Sequence, residues 1–131
     1  MGSTVGFVKA TVSVVGIVDD DEGIRQALDG LLRSAGFQVM TFASAEAFLS
    51  STHLQLTACL ILDLRMPGMD GLKLQRRLAT SGHRIPIIVL TAHGDDEARA
   101  RAMGAGAIAF LTKPFDGDAL LVTVTQALTA R

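Results

Sequence analysis

Cysteine is nearly missing from this chain of 131 residues: only Cys59 is present. A disulfide framework is therefore excluded, and a reducing compartment fits. Cys59 lies in the strand-like run ACLIL, where a small buried core residue is the expected role, because reactive thiols need an accessible electropositive setting. An excess of charge is missing too. The 12 Lys and Arg against 13 Asp and Glu leave a formal net charge of -1, so the footprint that phosphate-backbone binding demands is absent and no nucleic-acid partner is expected of this segment. No apolar run approaches the roughly 18 residues of a membrane helix. The first dozen residues hold one basic side chain, Lys9, and no signal-peptide core, so no membrane partner and a cytoplasmic location are expected. Repeats, low-complexity tracts and interdomain linkers are lacking. What is left is the length of one domain with one core, preceded by an N-terminal tail (residues 1–12) without periodicity.

What is there is a regular alternation. Five apolar runs rich in β-branched residues, Ser13 to Val18, Phe37 to Thr41, Ala58 to Leu62, Ile87 to Leu90 and Ala107 to Leu111, are separated by helix-like segments, the pattern of βαβ units on a parallel sheet. The first helix, about Glu22 to Ala35, follows an acidic cap run and ends with Arg33 in its last turn and Gly36 just beyond. Ile24, Ala27, Leu28, Leu31 and Leu32 form its expected buried stripe. Ser44 caps a short second helix, Asp70 or Gly71 starts a third, Asp95 to Glu97 favour a fourth, and Asp116 caps a fifth. The reading is a (βα)5 domain over residues 13–131.

The residues just past the strands are chemically coherent. They are Asp19, Asp20 and Asp21, then Asp63 at the head of the turn in LILDLRMPGMDG, then Thr91, then Lys113. Open α/β sheets place their ligand sites outside the carboxyl ends of the strands. Crowded carboxylates repel and call for a hard, oxygen-liganded cation such as Mg²⁺. A lysine ammonium and a threonine hydroxyl suit phosphoryl oxygens, and one carboxylate can act as the nucleophile and form an aspartyl phosphate. Each residue alone has an ordinary explanation: a helix cap, a hydroxyl bonded to backbone, a solvated lysine. Four strand ends delivering an acid pair, an acid, a hydroxyl and a lysine rarely coincide by accident.

With VGIVDDDE, LILDLRMPGMDG, IIVLTAHG and FLTKPF all in order, the sequence resembles the receiver domain of two-component response regulators, the CheY-like family. The resemblance implies a doubly wound, flavodoxin/CheY-like sheet of five parallel strands in the order 2-1-3-4-5. It implies that Asp63 accepts a phosphoryl group from a sensor histidine kinase or a histidine phosphotransfer protein, in a signalling domain that assists its own phosphorylation and dephosphorylation and is not an enzyme. Mg²⁺ or Mn²⁺ would be held by Asp19, Asp20, Asp63 and the backbone carbonyl of Arg65, with Asp21 serving as a cap. Thr91 and Lys113 would bind the phosphoryl oxygens, Thr91 and Phe110 would form the switch, and the peptide before Pro114 would be cis. Arg65 and His93 occupy the family's positions that gate attack by water, so they are expected to tune the lifetime of the phosphoryl group.

The stretches TAHGD, SAEAFL and LDLRMPGMDG lean towards the NarL/FixJ type, whose output domain is a helix-turn-helix. No such output domain is encoded here, so the segment is either a stand-alone receiver or a part of a larger regulator. Competing readings are a degenerate receiver used as an interaction module and a Mg²⁺-dependent phosphatase, which would want an acid where Arg65 stands. GAGAIA, Gly104 to Ala109, formally fits a dinucleotide fingerprint but follows a helix and enters a strand, so a helix stop is expected. In the last helix Leu120, Leu121, Val122, Val124, Ala127 and Leu128 exceed one stripe. That excess is met either by one spare valine or by a phosphorylation-dependent homodimer through the fourth helix, fifth strand and fifth helix.

Overall fold

The computed structural model describes residues 13–129; the tail assigned to residues 1–12 lies outside them. Strands β1 (Val14–Val18), β2 (Gln38–Phe42), β3 (Thr57–Leu62), β4 (Ile87–Thr91) and β5 (Ala109–Thr112) alternate with helices α1 (Glu22–Ser34), α2 (Ala45–Leu49), α3 (Gly71–Thr80), α4 (Asp96–Gly104) and α5 (Gly117–Thr129). A 3-10 turn at Leu54–Leu56, which the hydrophobic pattern did not reveal, leads into β3. All strand pairs are parallel, and the sheet order is β2-β1-β3-β4-β5. This is the doubly wound arrangement expected.

The strands run apolar on both faces because both are covered. Leu60, Leu62 and Val89 face Phe48 of α2, Leu74 and Leu78 of α3 and Ala102 of α4. On the opposite face Val15, Ile17, Cys59 and Ile61 pack with Leu28 and Leu32 of α1 and Leu120 and Val124 of α5. Cys59 is buried, as its place in the run requires.

Boundaries moved where helices close. Phe37 and Ala107 were assigned to strands, but the Phe37 amide donates to Leu32 O and the Ala107 amide to Ala102 O, so both residues finish the preceding helix. Gly36 (φ 95°) and Gly106 (φ 104°) make those closures without a Cβ penalty. The GAGAIA stretch is thus a helix stop. In α1 the stripe is Ile24, Leu28, Leu31 and Leu32; Ala27 is exposed, because its short methyl lies at the stripe's edge. In α5 Leu120, Val124 and Ala127 are buried, Leu121 and Leu128 pack partly, and Val122 is left 55 % exposed.

Candidate functional site

Each functional residue is placed by the strand before it. Val18 of β1 and Leu62 of β3 are partners in the register, so the next residues, Asp19 and Asp63, leave the sheet side by side. This is the switch point where the chain, having laid β2 on one side of β1, crosses to lay β3 on the other. Thr91 closes β4 opposite Thr112 of β5, and Lys113 follows at once, its amide donating to Thr91 O at 2.9 Å.

The side chains converge on one point. Lys113 Nζ donates to Asp19 Oδ2 at 2.7 Å and to Asp63 Oδ2 at 3.4 Å. The pair is shielded: the lysine side chain is 13 % exposed and that of Asp19 3 %. Asp20 joins the group from solvent, and carboxylate oxygens of Asp19, Asp20 and Asp63 lie within 4.8 Å of one another. Asp63 Oδ1 is buried and has no hydrogen-bond partner among the described residues. A buried carboxylate oxygen without a donor is an unmet demand, and three converging acids supply the hard oxygen ligands that Mg²⁺ prefers. The donor set therefore fits the cation that the sequence implies.

The other predicted residues are placed differently. Thr91 is fully buried, and its hydroxyl accepts from the His93 amide at 3.2 Å. Phe110 is buried in β5 with the Arg99 guanidinium 5.7 Å from its ring centroid. Arg65 and His93 are both exposed, on a cleft of about 190 Å³ shared with Asp70, Leu72 and Asp95. Asp21 caps α1 through the Ile24 amide, and its own amide donates to Asp19 Oδ1 at 2.9 Å. The Lys113–Pro114 peptide is cis.

Three contributors escaped the sequence reading. Arg25 Nη1 donates to Asp19 O at 2.8 Å, fixing the acid loop from the first turns of α1. Glu46, in the first turn of α2, accepts from the Met69 amide at 3.0 Å and so holds the loop after Asp63. The Gly71 amide donates to Leu64 O at 2.9 Å, and a Cβ there would collide with the Asp63 carbonyl. Only Gly71 left a trace, as a glycine where a good helix former would ordinarily stand.

Burial pushes the Asp19 carboxyl above its ordinary 3.8, and the neighbouring charge of Asp63 adds to the shift. The Lys113 hydrogen bond and the Asp21 amide only partly oppose it. Burial pulls the Lys113 ammonium down, but the hydrogen bond to Asp19 and the charges of both acids outweigh it, leaving it above 10.5. The signs differ in consequence. The raised lysine contributes stability fully present below 10.5, whereas the raised acid costs stability that builds as the pH rises above 3.8 and is complete above its folded value. Without divalent cation at pH 7, Asp19→Asn is expected to unfold at a higher urea concentration than the wild type. The gain should shrink as pH falls through the raised Asp19 value, and a loss at pH 7 would contradict it.

Comparison with known proteins agrees with this geometry. A family profile described as "Response regulator receiver domain" matches residues 15–125. The chain is 49 % identical over 116 residues to Response regulator protein TmoT of Ectopseudomonas mendocina, covering 88 % of this chain and 53 % of that protein. It is 40 % identical over 112 residues to Transcriptional regulatory protein FixJ of Bradyrhizobium diazoefficiens, covering 86 % and 55 %. The chain thus spans about half the length of the curated relatives it matches. Among solved structures, FixJ-N superimposes with a TM-score of 0.82 at 39 % identity, over 91 % of this chain and 95 % of that one. Vibrio cholerae chemotaxis protein CheY4 gives 0.80 at 30 % identity, over 89 % and 99 %. With an acid pair, a central aspartate and a lysine gathered on one sheet rim, and a family match across most of its length, the chain belongs to the response-regulator receiver domains of two-component signalling.

Proposed function

We propose that Asp63 is the phosphoacceptor of this receiver, taking a phosphoryl group from a phosphohistidine of a sensor kinase or phosphotransfer protein. The observation that carries the reading is Asp63 itself, buried at the sheet rim with Oδ1 unpartnered and Oδ2 3.4 Å from an ammonium. An Asp63 oxygen attacks phosphorus, the phosphorus–nitrogen bond breaks, and the imidazole leaves and regains a proton. Asp19, Asp20, Asp63 and the Arg65 carbonyl would hold Mg²⁺ or Mn²⁺, which when bound neutralises phosphoryl charge. Lys113 exchanges a carboxylate partner for a phosphoryl oxygen, and Thr91 gives up the His93 amide to donate to another. Turnover of an external substrate plays no part, and the domain works in the cytoplasm.

Exposed Arg65 and His93, two positions past Asp63 and Thr91, line one cleft, where their side chains would meet water approaching the phosphoryl group. Met103 of α4 is 39 % exposed and Val122 of α5 55 %, on the helices before and after edge strand β5, apolar area suited to a homodimer formed through α4, β5 and α5 on phosphorylation. Because the relatives are about twice as long, the output of any larger regulator would be read from that face.

With Mg²⁺ and acetyl phosphate, the intact wild-type protein is expected to gain about 80 Da, one phosphoryl group, by mass spectrometry, and Asp63→Ala nothing. A gain in both proteins, or in neither, would remove Asp63 from the role. Arg65→Asn is expected to shorten the lifetime of the labelled species severalfold in a decay series; unchanged or slower decay refutes a shielding role for Arg65. In sedimentation velocity, a beryllofluoride-treated sample should shift towards dimer as concentration rises, and a monomer at every concentration would dismiss the dimer.

A further inference from the structure

Of the five α-helices, α4 has the fewest buried residues. Its only buried residue is Ala102, and Asp96, Glu97, Arg99 and Arg101 take up much of the remainder. A polar helix so lightly packed belongs to the low-stability end of a fold.

One polar side chain acts where packing is thin. Gln75 of α3 is 1 % exposed, and its Nε2 donates to Ala102 O, near the end of α4, at 3.1 Å. Its Oε1 is buried and has no partner among the described residues. An apolar side chain of the same length would fill that space without burying an unmet carbonyl. What the amide supplies in exchange is a single bond to α4.

The other end of α4 answers to the phosphoacceptor side. Its cap, Asp95, is reached from Thr91 through a loop in which the His93 amide bonds Thr91 Oγ1. A Cβ on Gly94 would sit 2.6 Å from Thr112 Cγ2 and 3.1 Å from Phe110 Cε2, so this loop lies tight on β5. Arg99 then stacks over Phe110. A displacement of the Thr91 hydroxyl would break the His93 bond and release a restraint on the loop that leads into α4, while Gln75 holds the C-terminal end.

We propose that Gln75 is a positioning residue whose amide latches the C-terminal end of α4 to α3 and so sets how readily α4 moves when Asp63 is phosphorylated. The coupling half of this inference rests on the phosphoacceptor reading of Asp63; the latch itself does not. Gln75→Met keeps the length and removes the donor. In hydrogen exchange read by mass spectrometry on the untreated protein, peptides across Asp96–Gly104 should exchange about tenfold faster than in wild type, the cost of one buried hydrogen bond. Peptides of β1 and β3 should be unchanged, the melting temperature should not fall, and acetyl phosphate should label Asp63 several times faster. Unchanged exchange in α4, or faster exchange everywhere with a lower melting temperature, overturns the latch. Faster α4 exchange with an unchanged labelling rate overturns the coupling. If neither protein is labelled, the phosphoacceptor reading fails and takes the coupling with it, while the exchange measurement still decides the latch. Gln75→Leu repeats the test if the methionine variant does not fold.

Discussion

Three carboxylates and one ammonium held at the edge of a dry sheet set the terms for the rest of this structure. The Lys113 contact with Asp19 spans 94 positions of chain and the contact with Asp63 spans 50, so neither exists until β1, β3 and β5 are in one sheet. Burial makes the charges strong and also makes them costly. Asp19 shows the cost, as a carboxyl pushed above its ordinary range despite a lysine at 2.7 Å. Asp63 has one oxygen 3.4 Å from the ammonium and the other buried without a partner among the described residues.

Around this cluster the fold is divided between rigidity and freedom. The two central strands are buried throughout, and the loops at their ends are fixed by Arg25, Glu46 and the Gly71 amide. Towards β5 the restraints change character. The Thr91 hydroxyl accepts one amide, the Phe110 ring, packed in the core, meets the Arg99 guanidinium, and α4 adds the Gln75 amide to its packing through Ala98 and Ala102. Directional contacts of this kind can be exchanged one at a time, whereas close apolar packing moves as a block.

A family likeness to FixJ and to CheY4 is compatible with many outputs, since receivers share a site and differ in the surfaces that read it. The surfaces particular to this chain are therefore the informative ones: the exposed Arg65 and His93 in one cleft, the exposed Met103 of α4 and Val122 of α5, and the buried amide beneath α4.

Much of this was legible in the sequence because it is local. Periodicity placed five strands and five helices, and turn chemistry placed Asp19, Asp63, Thr91 and Lys113 at strand ends, since the first three follow an apolar run directly and Lys113 comes one residue later. Asp21, Ser44, Asp70, Asp95 and Asp116 could be read as caps because a cap bonds an amide two or three residues on. Phe37 and Ala107 were misassigned because an apolar residue that closes a helix looks, in sequence, like the start of a strand. Arg25, Glu46, Gln75 and Arg99 left no signal, since an arginine or an amide on a helix is an ordinary surface residue until a partner from another element arrives. The sequence determined which residues stand at each strand end, because strand length and turn residues act over a few positions. Only the tertiary structure decided which of those ends meet, which oxygen of Asp63 is left open and what holds α4, because those depend on strand order and on helices brought together from distant parts of the chain.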